Sequence, residues 1–502
     1  MTGFLYGAVV AIIRSGFLCS VYTRYSGSRE YVMNRRMFLC AAGATALMSE
    51  TGRVWAQRKP NIVLILADDM GQHQAGCYGN PFYETPHIDR LAAGGMKFLN
   101  GYAAAPVCSP TRAGLMTGKY PARLHLTDYI PGNPYPYAKL RTPDWQKYLP
   151  LSEKVLPEML AEAGYVSGHF GKWHLSADKD YAPGRPGDPD TRGFSDVLAL
   201  DKPESGVAVQ AGADPDFDAH HVREITDRAI AFMESNRDRP FFCYVSHSAI
   251  HQPVMEYTPR ILKYANKKDA SNRMGNNPVI GAMVETLDKN IGRLLDKLDA
   301  LRLSDDTLVI FLGDNGDYFG REGLKPLYGA KGDLYEGGVR VPFILRWPGV
   351  IPADTVCMEP VCAIDFFPTF AEMAGVPIGE SAPDGVSLMP VMAQRGGLGR
   401  DALYWHYPHY HTLGIAPSGS IRQGDYKLIE WFEKSIEGVE TPGALELFNL
   451  REDPGERHNL AADMPEKARD MYEKLKAWRA SVGAQEMDRN PEYDPARANK
   501  RQ

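Results

Sequence analysis

Residues 61–69 read Asn-Ile-Val-Leu-Ile-Leu-Ala-Asp-Asp, a continuous apolar run that ends in two carboxylates. The run Ile62–Leu66 is rich in β-branched residues and lacks the polar alternation of a strand with one solvent-facing side. We therefore predict a strand that is buried on both faces. Such strands are typical of mostly parallel sheets that are covered by helices.

Three further apolar runs have the length and composition of strands in the same sheet. They are Val166–Phe170, Phe241–Val245 and Thr307–Leu312. Two helical segments lie among them. Ser152 is predicted to cap a helix that ends at Gly164, and apolar residues at helical spacing predict a longer helix from Ile280 to Leu301. The alternation of strands and helices predicts an α/β fold, with a large domain whose mostly parallel, mixed sheet lies between helices.

The pattern changes near Ala382, where short apolar runs and a helix from Pro465 to Ser481 predict a smaller α+β subdomain with an antiparallel sheet. The stretch Tyr404–His411 concentrates aromatic and imidazole side chains. It is interpreted either as a wall that stacks on sugars or as a strand packed on the core. The predicted organisation is a targeting segment at 1–57, the large domain at 58–381, the subdomain at 382–487 and a polar tail at 488–502.

The N-terminal segment has the features of an export signal. Arg35 and Arg36 precede an apolar, Ala-rich run, and Ala56 provides a small residue for cleavage before Gln57. The segment resembles a twin-arginine signal, so we predict an exported protein, periplasmic or extracellular, with no stable membrane span after processing. An uncleaved membrane anchor is the alternative, but the apolar stretch is short for a spanning helix, which needs about 20 residues.

Charge and cysteine content restrict the class of partner. The formal net charge of -6 argues against a nucleic acid partner, although a few local cations can still dominate a pocket for a small anion. The seven cysteines fit neither a zinc site nor a dense disulfide framework. Cys357 and Cys362 are close enough for a local disulfide, and two buried thiols are the alternative.

Polar side chains follow each of the predicted strands of the large domain. Because ligands bind beyond the carboxyl ends of the strands in an open α/β sheet, we expect these side chains to share one edge. They are Asp68, Asp69, Lys172, His174, His247, His251, Asp314 and Asn315.

The carboxylates in this set predict a metal site. Each aspartate taken singly could be a turn or a helix cap, but clustered carboxylates repel one another unless a cation lies between them. Carboxylate and amide oxygens suit Ca²⁺ or Mg²⁺ rather than zinc. We predict one divalent cation per chain, Ca²⁺ with Mg²⁺ as the alternative, held by Asp68, Asp69, Asp314 and Asn315.

Basic side chains also follow strands or lie in Gly-rich loops. They are Arg112, Lys172, His174, His251 and Lys331. Cations gathered around a metal site favour a tetrahedral oxyanion, sulfate or phosphate, as the group that is bound.

The segment Cys108–Gly118 reads Cys-Ser-Pro-Thr-Arg-Ala-Gly-Leu-Met-Thr-Gly. Its core, Cys-x-Pro-x-Arg, resembles the signature of the type I sulfatases of the alkaline phosphatase superfamily. Nearly all of the chain after the signal shares the resemblance. The other matching segments are 61–69, 171–174, 313–316, 331–342, and 447–460, the last of which is interpreted as a packing and turn element.

The resemblance implies that a maturation enzyme converts Cys108 to formylglycine. The hydrated aldehyde would attack sulfur, form a covalent sulfate ester and then expel sulfate, with residue 108 also among the ligands of the cation. Arg112 would stabilise the diol and the developing charge, and Lys172 and Lys331 would hold sulfate oxygens. His174 would accept a proton from the second diol oxygen.

The general acid is the place where this sequence departs from the family pattern, which commonly has Pro-His-x-Pro after the middle strand. Here Ile250 precedes His251, but Pro253 keeps the spacing. We therefore assign the protonation of the leaving alcohol to His251, alone or together with Lys331, with His247 as the alternative.

The resemblance implies a sulfuric ester hydrolase, and export together with the aromatic stretch favours a sulfated carbohydrate over a small aryl sulfate. One alternative is a phosphate or phosphonate ester hydrolase with the same fold. The other is a non-catalytic, glycan-binding protein on a sulfatase scaffold, against which the complete set of site residues argues. The expected partners are the sulfated small molecule or glycan and the formylglycine-generating enzyme.

Overall fold

The computed structural model describes residues 11–15, 18–22, 59–178, 180–203, 217–218, 220–271, 275–318, 326–436 and 443–501. The chain divides into two units, residues 1–59 and residues 60–502. In the first unit, β1 (Ala11–Ser15) pairs with β2 (Leu18–Tyr22) in an antiparallel arrangement. The predicted twin-arginine stretch and the cleavage site lie outside the described residues.

The second unit contains both the large and the small sheet. Its strands are β3 (Asn61–Ala67), β4 (Met96–Phe98), β5 (Gly101–Tyr102), β6 (Leu140–Arg141), β7 (Val166–Gly171), β8 (Asp196–Ala199), β9 (Phe241–His247), β10 (Thr307–Gly313), β11 (Phe343–Arg346), β12 (Thr355–Cys357), β13 (Val361–Cys362), β14 (Leu403–Tyr407), β15 (Ser418–Gln423), β16 (Tyr426–Trp431), β17 (Leu445–Asn449) and β18 (Asp488–Arg489). Its α-helices are α1 (Pro86–Ala93), α2 (Cys108–Thr117), α3 (Pro121–Leu124), α4 (Leu156–Ala161), α5 (Val222–Ser235), α6 (Thr258–Ala265), α7 (Pro278–Ala300), α8 (Glu336–Val339), α9 (Phe366–Ala374), α10 (Met389–Met392), α11 (Phe432–Ser435) and α12 (Pro465–Val482).

The large sheet has eight strands in the order β12-β4-β11-β10-β3-β9-β7-β8. The run from β10 to β8 is parallel throughout, whereas β11 is antiparallel to both of its neighbours. The four strands predicted from apolar runs are all present, and they lie side by side as β10, β3, β9 and β7. The predicted α/β fold with a mostly parallel, mixed sheet is therefore confirmed.

Helices cover both faces of this sheet, which explains why its strands are uninterrupted apolar runs. Alternate residues of β3 belong to two separate hydrophobic clusters, because successive side chains of a strand point to opposite faces. Ile62 and Leu64 pack in the cluster that includes α2, α4 and α9. Val63 and Ile65 pack in the cluster that includes α1, α5 and α7.

The predicted antiparallel subdomain is also present. Strands β14, β15, β16 and β17 form an antiparallel sheet in that order. Trp405 and Tyr407 of β14 belong to the same hydrophobic cluster as residues of α2 and β3, so the subdomain shares a core with the large domain. The aromatic stretch is thus mainly core, as the second interpretation of it had predicted. Tyr404 stacks on Trp478 of α12, with ring centroids 4.8 Å apart.

Three local expectations have different outcomes. The Ser152 cap is wrong: α4 begins at Leu156, because the Glu158 carboxylate accepts a hydrogen bond from the Val155 backbone N–H at 3.0 Å and so caps the helix there. Cys357 and Cys362 are free thiols. Among helices in the described ranges, none combines the length and apolar character that crossing a bilayer requires.

A buried ion cluster joins the subdomain to the large domain. The Lys427 ammonium of β16 has no exposure to solvent and lies 2.9 Å from Glu336 Oε1 of α8 and 3.0 Å from Glu456 Oε1. The second carboxylate oxygen of Glu456 accepts a hydrogen bond from the Glu336 backbone N–H at 2.6 Å. The packing role predicted for the C-terminal signature, which contains Glu456, is therefore confirmed.

We expect Lys427→Met to lower the free energy of unfolding by about 3–5 kcal/mol, because the buried carboxylates of Glu336 and Glu456 would lose the cation between them and only Glu336 would keep another, Arg340 at 3.3 Å. Lys474→Met is the matched control, since it removes an exposed lysine paired with Asp470 within α12 and should cost less than about 1 kcal/mol. Denaturant unfolding measures both variants. A loss for Lys427→Met as small as that of the control would contradict a stabilising role for the cluster.

Candidate active site

The polar residues predicted to converge do so because the four central strands are parallel and in register. Gly313, Ala67 and His247 are paired across β10, β3 and β9, and Gly171 of β7 pairs with Ser246. A cavity of about 520 Å³ opens at this edge of the sheet. The predicted catalytic residues that line it are Cys108, Lys172, His174, His251 and Lys331.

Cys108 is the first residue of α2 and is buried. The helix starts readily there because Pro110 lies in its first turn, where a missing N–H costs nothing. It ends at Gly118, whose φ of 72° is a left-handed conformation that glycine adopts without steric cost. The neighbouring Ser109 Oγ accepts a hydrogen bond from the Ile130 N–H at 3.1 Å, which ties the start of the helix to the cavity wall.

Three of the predicted metal ligands have unused oxygens next to this cavity, whereas both oxygens of Asp314 already accept hydrogen bonds, from the Asp69 N–H and from Arg112. Asp68 Oδ1, Asp69 Oδ2 and Asn315 Oδ1 are buried and have no hydrogen-bond partner among the described residues. One ligand atom each from Asp68, Asp69 and His251 lie within 4.8 Å of one another. Buried carboxylate oxygens without donors are costly unless a cation binds them, so the residues present fit a hard divalent ion.

The pKa values of two of these aspartates, Asp68 and Asp314, lead to the same conclusion. Burial raises the pKa of Asp68, but Lys172, His251 and Arg112 outweigh it and hold this pKa well below the ordinary value. For Asp314 the balance is reversed: burial and the negative charge of Asp68 raise its pKa well above the ordinary value in spite of Arg112. The cations of the chain are thus insufficient to ionise the whole cluster, and a divalent ion would supply the missing charge.

Arg112 holds the cluster together rather than facing the cavity. Its Nε and Nη2 groups donate to Asp314 Oδ2 at 3.1 and 2.8 Å. Its Nη1 group donates to Ser246 Oγ at 2.6 Å and to the Lys172 carbonyl at 3.0 Å. The guanidinium therefore positions a predicted metal ligand one helical turn from Cys108. Ser246 directly follows the predicted strand Phe241–Val245, but the sequence analysis assigned no role to it.

The two lysines of the site each use one donor on an aspartate. Lys172 Nζ lies 2.6 Å from Asp68 Oδ2, and Lys331 Nζ lies 2.5 Å from Asp69 Oδ1. An ammonium group has three N–H donors, so each lysine retains donors for oxygens of a bound anion. Both side chains line the cavity, which makes them suitable ligands for a sulfate group.

Of the two histidines considered for general acid catalysis, His251 lines the cavity. Its Nε2 lies 3.7 Å from Asp69 Oδ2, and its Nδ1 lies 2.7 Å from the Gln252 carbonyl and 3.0 Å from Lys202 Nζ. Burial lowers the pKa of both histidines to about 3, so the pKa does not distinguish them. His247 is fully buried in β9. It is not among the described residues that line the cavity.

His174 has a free ring nitrogen. Its Nε2 lies 2.6 Å from the Ile130 carbonyl, which can only accept, so Nε2 carries the proton. Its Nδ1 is then an acceptor, and it has no hydrogen-bond partner among the described residues. Burial and the charge of Lys172 lower the pKa of His174 to about 3, which keeps the ring neutral. A neutral imidazole with an open lone pair is suited to accept a proton.

Several cavity residues were not found from the sequence, because each reaches the cavity only through tertiary contacts. They are Tyr129, Asp201, Lys202 and Arg501. His411 ends the aromatic stretch of the subdomain, so one residue of that stretch does reach the cavity. Lys202 and Asp201 follow β8, which had not been predicted as a strand.

Comparison with known proteins agrees with the geometry. Residues 60–376 match the family model described as Sulfatase, and residues 328–481 match the model described as N-sulphoglucosamine sulphohydrolase, C-terminal. The chain is 31% identical to arylsulfatase A of Homo sapiens over 467 residues, covering 84% of this chain and 87% of that protein. It is also 31% identical to N-acetylgalactosamine-6-sulfatase of Canis lupus familiaris over 466 residues, covering 82% and 83%.

A solved structure has the same architecture. The crystal structure of Ps i-CgsB in complex with k-i-k-neocarrahexaose superimposes with a TM-score of 0.69 at 26% identity, covering 87% of this chain and 95% of that chain. Matches to family models over the greater part of the second unit, and relatives at this identity over most of their own length, decide the assignment. The chain belongs to the sulfatase family and is a sulfuric ester hydrolase.

Proposed function

We propose that this sulfatase removes sulfate esters from a sulfated carbohydrate, with formylglycine at position 108 and one Ca²⁺ ion at Asp68, Asp69, Asp314 and Asn315. The observation that carries the proposal is the set of three buried oxygens without donors beside the cavity that Cys108 lines. Ca²⁺ binds such oxygens with a flexible geometry and would polarise the nucleophile and the sulfate group. Converted to formylglycine, residue 108 would supply two geminal oxygens, one for attack on sulfur and one for the release of sulfate.

The remaining chemistry belongs to residues of the chain. Lys172 and Lys331 donate to the sulfate oxygens and stabilise the charge that redistributes as the ester bond breaks. His251 protonates the departing sugar oxygen, and His174 accepts a proton at its open Nδ1. Arg112 acts on these groups only indirectly, by fixing Asp314 and the Lys172 carbonyl.

Three observations favour a carbohydrate substrate. The cavity is large enough for at least one sugar ring beyond the sulfate, and Tyr129 and His411 give it aromatic walls with ring centroids 6.2 Å apart. The similar dog enzyme is named for a sulfated amino sugar, and the similar crystal structure holds a neocarrahexaose. Arg35 and Arg36 with the apolar run behind them support export, which would bring the enzyme to extracellular polysaccharides.

Asp314→Asn should abolish Ca²⁺ binding at micromolar concentration and lower turnover by at least about 10³-fold, because the substitution removes one charge from the metal site while keeping the side-chain shape. Elemental analysis after dialysis and sulfate release measure the two effects. Asp365→Asn is the control: it removes an equally buried carboxylate, paired with Arg400 at 2.6 Å, outside the site. Full activity after chelation, or in Asp314→Asn, would contradict the metal assignment.

His251→Ala should slow sulfate release from a sugar sulfate by about 10²–10³-fold, because a sugar alkoxide departs poorly without a proton. The same variant should lose far less on nitrophenyl sulfate, since a nitrophenolate is stable unprotonated. The measurement is the ratio of kcat values on the two substrates. Equal losses would remove His251 from the general acid role.

Cys108→Ser should release at most one equivalent of product per chain, because serine has one hydroxyl and no geminal oxygen with which to expel the sulfate. Peptide mass spectrometry across residue 108, combined with turnover on the same sample, tests this expectation. Cys362→Ser, which changes a buried thiol outside the cavity, should keep multiple turnover. Sustained turnover by protein that carries only an unmodified thiol at position 108 would refute the proposed nucleophile.

A further inference from the structure

The last residues of the chain, predicted from sequence as a polar tail, are an ordered part of the second unit. Strand β18 pairs with β6 in an antiparallel arrangement, and Asn490 then makes three hydrogen bonds to backbone oxygens of the opposite segment. Its N–H donates to Lys139 O at 3.1 Å, and its Nδ2 donates to Pro136 O at 2.8 Å and to Ala138 O at 2.7 Å.

The contacts continue to the end of the described chain. The Asp494 N–H donates to the Tyr137 carbonyl at 3.2 Å. The Arg497 guanidinium lies 3.2 Å from the centre of the Tyr137 ring, a cation–π contact. The terminal segment 488–501 is thus fixed along residues 136–141 by backbone pairing, by Asn490 and by Arg497.

This docking brings Arg501 to the active-site cavity. Arg501 lines the cavity together with Tyr129 and Asn133, which precede the segment that holds the tail. Its positive charge is close enough to Tyr129 and Tyr135 to oppose the rise that burial causes in the pKa of both phenols. A guanidinium from the end of the chain therefore lies beside aromatic rings at the site of ester cleavage.

Arg501 differs from the other basic residues around the cavity because it has no hydrogen bond or ion pair with any residue in the described ranges. Lys172 and Lys331 contact the metal-site aspartates, and Lys202 contacts His251. The acidic residues of the outer cavity are also satisfied: Arg185, from outside the lining, lies 2.8 Å from Asp178 and 2.9 Å from Asp188. An anion that enters the cavity would therefore meet Arg501 without competition from those carboxylates.

We propose that Arg501 binds a second anionic group of the substrate, a carboxylate or sulfate on the sugar next to the one that loses its sulfate. A guanidinium is suited to this task because its planar donors match both groups in a bidentate manner. The inference rests on the proposed carbohydrate specificity and narrows it to acidic oligosaccharides. Tyr129, which lines the cavity with Arg501, would pack against the same sugar that Arg501 contacts through its charge.

Equilibrium binding tests this inference without turnover. Calorimetry on the calcium-loaded, full-length Cys108→Ala protein would compare three probes: a disaccharide with a single sulfate, the same disaccharide with a carboxylate on the neighbouring sugar, and the same disaccharide with a second sulfate there. We expect at least one of the two doubly anionic probes to bind about tenfold more tightly than the monosulfated one. The probe with the greater gain identifies the second group as carboxylate or sulfate.

The variants separate Arg501 from a general effect of charge. The affinity ratio is the Kd of the monosulfated probe divided by the Kd of the preferred doubly anionic probe. In the Cys108→Ala protein, Arg501→Ala should bring this ratio close to one, whereas Arg501→Lys should keep part of the preference. Lys500→Ala, which removes a neighbouring charge on the same segment, should leave the ratio unchanged. The inference is overturned if neither doubly anionic probe is preferred, or if Lys500→Ala abolishes the preference as fully as Arg501→Ala.

The proposed function is tested separately, by sulfate release from the monosulfated disaccharide with unmutated enzyme. Failure of that release, with the Arg501-dependent affinity ratio intact, would reject the assigned reaction but keep the binding site. Efficient release without any preference for a second anion would support the assigned reaction and reject the binding site at Arg501.

Discussion

The burial of three carboxylates at one edge of a parallel sheet is the constraint on which the rest of the structure depends. Asp68, Asp69 and Asp314 are essentially inaccessible to water, so their charges need partners within the protein. Lys172, Lys331 and Arg112 supply three of these partners, and the oxygens that remain unpaired leave a place for a cation. The groups that make this arrangement stable are the same groups that a sulfate ester would contact.

The subdomain is connected to the same edge of the large sheet by the loop that carries Lys331. The Lys331 N–H donates to Asp317 O and the Gly332 N–H to Pro106 O, both at 2.8 Å. Gly332 has a φ of 90°, a backbone conformation that favours glycine. A Cβ there would also lie 2.6 Å from the His411 ring of the subdomain, so a side chain is excluded by the close contact. A few residues later Glu336 enters the buried ion cluster with Lys427. The subdomain therefore supports the loop that carries Lys331, which is proposed to hold sulfate oxygens.

The sequence was sufficient for the central strands and for the residues at their ends, because a strand buried on both faces must be apolar throughout and its boundary is then visible. It was insufficient where contacts join distant segments. Ser246 follows a predicted strand, but nothing local connects it with Arg112. Lys202 follows a strand of mixed composition and Arg501 lies in a polar tail, so nothing local marks either of them. The mistaken Ser152 cap has a local cause, since Glu158 offers a competing cap nearer to the apolar residues.

Arg112 has a different role in the structure from the one that its motif implied. The resemblance implied that its charge acts directly on the reacting group. Its Nε and both terminal nitrogens instead donate hydrogen bonds to the residue after β10, to Ser246 of β9 and to the residue after β7. A lysine could not reproduce this, because an ammonium is a point donor without a planar fork. One guanidinium thus docks the helix that begins at Cys108 onto three strand ends. Cys108 and Arg112 are one helical turn apart, so α2 holds the proposed nucleophile in a fixed relation to Asp314, a proposed metal ligand.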